Sequence, residues 1–92
     1  MIAEHALRAG VPITVQRVGS MLTAFFRAKP VRNWDEASDT DREAFGRWHA
    51  ALLENGVYWP CSQFEAAFIS LAHEAAALRK TGEAFQAAFA AV

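Results

Sequence analysis

In "SQFEAAFIS", residues 62–70, an acid stands in apolar company: Glu65 lies among Phe64, Ala66, Ala67, Phe68 and Ile69. A carboxylate taken out of water without a partner costs several kcal/mol of solvation. Acids in such surroundings gather at functional sites without being confined to them. From the residues alone three readings stay open: an acid at a strand entry pointing to solvent, an acid paired with Arg17 inside the domain, or a functional group. The metal-ligating types are His5, His49, His73 and Cys61. None falls at a ligand spacing such as H-x-x-x-H or C-x-x-C, so no metal site is expected. His49 reads as a hydrogen-bonded core histidine, and His73 as a residue that caps or packs the first turn of the last helix. As a nucleophile Cys61 would need an adjacent base, and without one it reads as an inert buried thiol. Lys29 and Lys80 sit in polar surroundings and read as solvated, because Schiff-base lysines need desolvation or cationic neighbours. Gly19-Ser20 reads as a tight turn and not as a phosphate cradle.

The elements that must carry these residues follow from periodicity and punctuation. "IAEHALRA", residues 2–9, has the look of the last turns of a helix closed by Gly10, with Pro12 beyond. "PITVQRV" and "SMLTAFFR" are β-rich runs joined at Val18-Gly19-Ser20, a hairpin. In the second run Met21, Thr23 and Phe25 share one face and Leu22, Ala24 and Phe26 the other. Both faces are largely apolar, which predicts cover on both sides. The polar segment "AKPVRNWDEAS" is a connection with one helical turn after Asn33, and Trp34 reads as its anchor to the body. Thr40 and Glu43 form a T-x-x-E capping box. It opens a helix whose apolar stripe is Phe45, Trp48, His49, Leu52 and Leu53 and which Gly56 ends. "VYWP" and "AAFISLA" read as short strands, the first stopped by Pro60. Residues 74–91 form an Ala-rich helix with Leu78, Phe85 and Phe89 on one stripe. The order predicts a single α+β domain over residues 1–92, a small antiparallel sheet of three to four strands with helices packed on one face.

Composition narrows the partners. A chain of 92 residues buries roughly 60–65% of its unfolded surface, yet 53% of the residues are hydrophobic, with seven Phe and three Trp. Some of that apolar surface is expected to meet a partner. A net charge of −1, with dispersed basic residues, offers no electrostatic footprint for nucleic acid or an anionic membrane. The lone cysteine cannot form an internal disulfide, "MIAEHALRAG" lacks the organisation of a signal peptide, and no apolar run approaches the ~18 residues of a membrane span. A cytoplasmic chain is expected.

"GVPITVQRVGSMLTAFF", "DTDREAF" and "GVYWPCSQFEAAFISLAH", in that order, resemble the C-terminal small domain of the glutamate-1-semialdehyde 2,1-aminomutases, enzymes related to the class III aminotransferases. The likeness runs from about Ala6 to Phe89, with "VGSM" and "SQFEA-F-SLAH" its most specific parts. It implies a fold-type I small domain from an enzyme that converts glutamate-1-semialdehyde to 5-aminolevulinate in tetrapyrrole (porphyrin) biosynthesis. The cofactor implied is pyridoxal 5'-phosphate, cycling with pyridoxamine 5'-phosphate. The resemblance places the cofactor's lysine and phosphate loops in a large domain absent from this chain, so that no cofactor is expected on the fragment itself. It also implies a fragment that is inactive alone and that begins within the helix leading into the small domain. The partners implied are that large domain and a second copy in a homodimer. Glu65 matches the glutamate that contacts the substrate's amino groups as an auxiliary catalytic group, and Ser62, Gln63 and Phe64 match the edge of the same substrate site. On this reading Glu65 should be more exposed than its neighbours imply. Two positions depart from the family pattern: Cys61 separates Pro60 from Ser62, and Ala67 stands where Gly is common. The alternatives are the small domain of another class III aminotransferase and a free-standing α+β interaction module.

Overall fold

Helix α1 (Ile2–Ala9) ends as its Gly10 predicts. In the computed structural model, which describes residues 1–92, Gly10 takes φ 71° and its N–H donates to Leu7. The next N–H, of Val11, reaches back to the Ala6 carbonyl at 3.0 Å. That pair of bonds is a Schellman closure, which needs the left-handed conformation glycine adopts freely. Strands β1 (Thr14–Val18) and β2 (Met21–Phe25) follow as an antiparallel hairpin in which Val18 faces Met21 across Gly19-Ser20. Gly19 has φ 58° and no non-glycine residue has a positive φ. Positive φ at the first central position alone is the requirement of a II′ turn, whose twist suits the hairpin.

Two helices then follow, α2 (Trp34–Ser38) capped by the Asn33 side chain and α3 (Arg42–Glu54). The capping box expected at Thr40 does not form. Asp41 is the cap, its carboxylate accepting from the Ala44 N–H at 2.9 Å, while the Thr40 hydroxyl donates to the Ala37 carbonyl. Asp and Thr are both competent caps, and here the chain turns one residue later because Thr40 is engaged in closing α2. The "VYWP" strand is also absent. Residues 57–66 are irregular, and pairing begins again only at β3 (Ala67–Phe68), two residues rather than the longer run expected from "AAFISLA". Helix α4 (Ala75–Ala90) completes the chain.

The sheet has the order β1-β2-β3, antiparallel throughout, with Leu22 opposite Ala67 and Met21 opposite Phe68. Its inner face carries Leu22 and Ala24, both buried under the helices, and Phe26 continues that face into the core. Trp48 of α3 is the centre, with 0% of its surface exposed. Its ring lies parallel to Phe85 at 5.9 Å and meets the edges or tilted faces of Phe26, Trp59 and Phe89 at 5.3–5.5 Å. Its indole N–H is buried without an acceptor, a cost of about 1–3 kcal/mol that the aromatic packing must outweigh. The stripe of α3 is thus Phe45, Trp48 and Leu52, with Leu53 turned out to solvent and Ala44 and Ala51 inside. On α4, Phe85 and Phe89 are buried and Leu78 only half so.

Cover on the second side of β2 is partial. Met21 is exposed, and Thr23 and Phe25 are half-buried. Together with Phe68, which is opposite Met21, they share the second sheet face, where the Gln16 side chain holds the connecting loop at Val31 and Thr23 holds the turn at Glu65. Helices on one face is the arrangement expected from the element order, and the exposed apolar residues are spread over Val18, Met21 and Phe68 of the sheet, Leu7 of α1, Trp34 of α2 and the irregular Tyr58 and Leu71.

Candidate functional site

The residues of "SQFEA" form a turn that leads into β3, and its main chain is tied down at successive points. The Ser62 hydroxyl accepts from the Phe64 N–H at 3.0 Å, and the Ser62 carbonyl accepts from the Glu65 N–H at 3.2 Å. Gln63 turns inward, 3% exposed, and its Oε1 accepts from the Phe26 N–H at 3.0 Å. This bond satisfies a buried donor just past the end of β2, where the ladder no longer supplies an acceptor. From β2 the Thr23 hydroxyl donates to the Glu65 carbonyl at 3.2 Å. Ala67 then pairs with Leu22.

The Glu65 side chain is free by contrast. It is exposed and forms no ion pair. Arg17, its partner in one of the sequence readings, lies on the register position opposite Leu22 and lines an apolar hollow on the inner side. The one group near the carboxylate is the Cys61 thiol, whose Sγ is 3.7 Å from Oε2. A thiol is a weak donor. Cys61 is exposed, so the buried thiol expected from the sequence is corrected: the irregular segment that replaces the "VYWP" strand holds it at the surface. The arrangement is a carboxylate on a fixed backbone with no charge partner in the chain.

Phe64 completes the turn on its outer side. Its ring centroid is 5.1 Å from that of Trp34 at a tilt of 59°, and the Arg42 guanidinium lies over it at 5.1 Å. Trp34 opens α2, the helical turn expected after Asn33, and it stays 62% exposed. Neither Trp34 nor Arg42 was marked as a site residue by the sequence. The available signal was a tryptophan in a polar segment, and nothing in the spacing linked it to a phenylalanine thirty positions away.

The remaining candidates stand apart. His49 Nε2 is 2.8 Å from the Trp59 carbonyl, and its half-buried ring packs along Phe45. His73 Nδ1 accepts from the Ser70 N–H at 3.0 Å, holding the turn before α4. No three His, Cys, Asp or Glu side chains converge on a common point. Lys29 and Lys80 are exposed. Neither lines the hollow of about 670 Å³ that Met1, Ile2, Val15, Tyr58, Phe68 and Leu78 help to form, nor do residues 61–65. The chain thus offers neither a desolvated lysine nor a phosphate cradle, and its residues do not fit pyridoxal phosphate as a ligand held by this chain alone. An ion pair joins Glu36 of α2 to Arg32 just before the helix. Glu36 accepts from both the Arg32 guanidinium, at 3.0 Å, and the Arg32 N–H, at 2.8 Å. These bonds hold the Glu36 carboxyl below the usual carboxylate range.

What fold and turn define is a small α+β domain with exposed apolar residues on its sheet and a projecting acid without a charge partner. No protein-family model matches the chain. Among curated proteins it is 49% identical to the glutamate-1-semialdehyde 2,1-aminomutase of Sorangium cellulosum, over 96% of this chain and 21% of that enzyme. It is 44% identical to the aminomutase of Acidobacterium capsulatum over 99% of this chain, and 51% identical to that of Thermus thermophilus over 95%. The chain is therefore related to the glutamate-1-semialdehyde 2,1-aminomutases, and it spans about a fifth of the length of the relatives it matches. No helix is long and apolar enough to cross a membrane.

Proposed function

We propose that this chain is the C-terminal small domain of a glutamate-1-semialdehyde 2,1-aminomutase, acting in the conversion of glutamate-1-semialdehyde to 5-aminolevulinate and inactive by itself. The observation that carries this reading is that similarity at 44–51% identity runs over nearly the whole chain while occupying about a fifth of each relative. In the complete enzyme the outer face of the sheet, with Met21, Phe25 and Phe68, would cover the large domain, in a cytoplasmic homodimer. Pyridoxal phosphate would be held by that large domain, where it supplies the electron sink for moving the amine.

The part left to this chain is electrostatic. Glu65 projects from a turn fixed by Gln63, Ser62 and Thr23, so its carboxylate can meet a substrate ammonium without reorganising the backbone. In a cleft closed to water such a charge pair is worth far more than at an open surface. Ser62 and Gln63 act through the turn rather than through contact, and Phe64 shapes the cleft's edge.

The test is Glu65→Gln in the complete aminomutase that contains this segment. Turnover is expected to fall about a hundredfold, the scale seen when one preorganised electrostatic partner is removed, with the unfolding midpoint unchanged. Unaltered kinetics would return Glu65 to an ordinary surface acid. Turnover of glutamate-1-semialdehyde, set against a simple amino-donor and keto-acid pair, separates an aminomutase from another class III aminotransferase.

A further inference from the structure

Gln63 is fixed through its side-chain amide and the Glu65 peptide through its main-chain bonds, but Phe64 has only the local bond from its N–H to Ser62. Glu65 is tied through its own N–H to Ser62 and through its carbonyl to Thr23, and the Phe64 ring adds the remaining side-chain hold on the segment from which the carboxylate projects. That ring is 41% exposed, yet it is held between Trp34 and the Arg42 guanidinium, each at 5.1 Å. The platform beneath Trp34 is itself immobilised. Asn33 caps α2 through the Glu36 N–H at 2.9 Å, Arg27 Nη1 donates to the Glu36 carbonyl, and Arg32 grips the Glu36 carboxylate. Arg27 immediately follows Phe26, whose N–H is the donor that Gln63 anchors. The far end of β2 is thus tied both to the turn and to the helix that carries Trp34.

We propose that Trp34 and Arg42 are positioning residues for Glu65, clamping Phe64 so that the carboxylate points toward the substrate ammonium. This rests on the reading of Glu65 given above and adds two residues to it. A surface aromatic pair kept merely for stability would affect unfolding in proportion to its contact. A clamp moves the rate instead, because a misplacement of about 1 Å at a reacting centre costs up to about a hundredfold.

In the complete enzyme, Trp34→Ala is expected to lower kcat about tenfold with KM and the unfolding midpoint little changed. Trp34→Phe, which keeps a ring against Phe64, should restore most of the rate. The double variant Trp34→Ala/Glu65→Gln should be no slower than Glu65→Gln alone, since the two act through one group. Losses that multiply, or a Trp34→Ala enzyme at full rate beside a slow Glu65→Gln enzyme, would overturn the clamp while leaving the functional reading of Glu65 intact. If Glu65→Gln is itself at full rate, the functional reading fails. The clamp is then decided by amide order parameters of Phe64 and Glu65 in this 92-residue chain. A fall from about 0.85 toward about 0.6 in Trp34→Ala, reversed in Trp34→Phe, upholds it, and unchanged values overturn it.

Discussion

Replacing Gln63 with alanine isolates the bond on which the geometry of the turn depends. In the native chain Phe26 is 3% exposed, and its N–H has the Gln63 amide oxygen as acceptor at 3.0 Å. Truncation leaves that N–H buried with no acceptor, a loss of about 1–3 kcal/mol. Taking about 2 kcal/mol, and about 1 kcal/mol per molar urea for the dependence of a domain of this size, the urea midpoint should fall by about 2 M. The fluorescence of the buried Trp48 and Trp59, followed beside far-ultraviolet circular dichroism, reads the transition. Gln63→Glu sharpens the test because it keeps an acceptor oxygen while introducing a buried charge. Burial raises the folded-state pKa of the new carboxyl above its unfolded value, so the folded state binds more protons. That variant should therefore be most stable in acid, below its unfolded value, and lose stability as pH rises through its folded value. A Gln63→Ala midpoint within about 0.3 M of the parent, where the bond predicts a molar-scale shift, would refute the claim that this bond holds the turn.

Glu65→Gln in the 92-residue chain should alter stability by less than about 0.5 kcal/mol, since the acid is exposed and unpaired; thermal unfolding checks it. Asp41→Ala should destabilise the fold by about 1 kcal/mol, the worth of a helix N-cap, and more than Thr40→Ala does, which distinguishes the observed cap from the capping box read in the sequence. Glu36 should titrate below the ordinary carboxylate range by carbon-detected NMR and move toward it in Arg32→Ala, which removes the guanidinium but leaves the backbone N–H of residue 32 as a donor. Because its folded pKa is depressed, the contribution of this pair is present above the unfolded value and is lost as pH falls through the folded one. Mixing the chain with pyridoxal phosphate should give no aldimine absorbance that borohydride traps on Lys29 or Lys80, both of which are exposed.

The parts of this fold legible in the sequence are those where a single residue type dictates backbone geometry. Gly10, Gly19 and Gly56 mark the turns and helix ends where positive φ occurs, and the period of Phe45, Trp48 and Leu52 marks the buried face of α3. The misread elements involve competition. Thr40 and Asp41 are adjacent caps, and the choice between them depends on Ala37, whose carbonyl takes the Thr40 hydroxyl. "VYWP" has strand propensity, but Trp59 is drawn into the aromatic core against Trp48 and Phe85, and the segment does not pair with the sheet. For the site, the apolar run around Glu65 marked the residue, and the family resemblance marked its neighbours. Trp34 and Arg42 were illegible because their meeting with Phe64 is set by tertiary packing of α2 and α3 against the turn.

The two-residue length of β3 has a consequence for how the domain breathes. Between Glu54, where α3 ends, and Ala75, where α4 begins, only Ala67 and Phe68 belong to a strand. The aromatic cluster around Trp48 draws mainly on α3, α4 and the end of β2, and Trp59 is its one member from the connecting segment. Amides from Cys61 to His73, beyond the buried Trp59, should therefore exchange with solvent through local opening, at a free energy below that of global unfolding, while those of α3 and α4 exchange only with the whole. A docking surface could remodel the acid-bearing segment without disturbing the core beneath it, and protection gained there on assembly would report the docking directly.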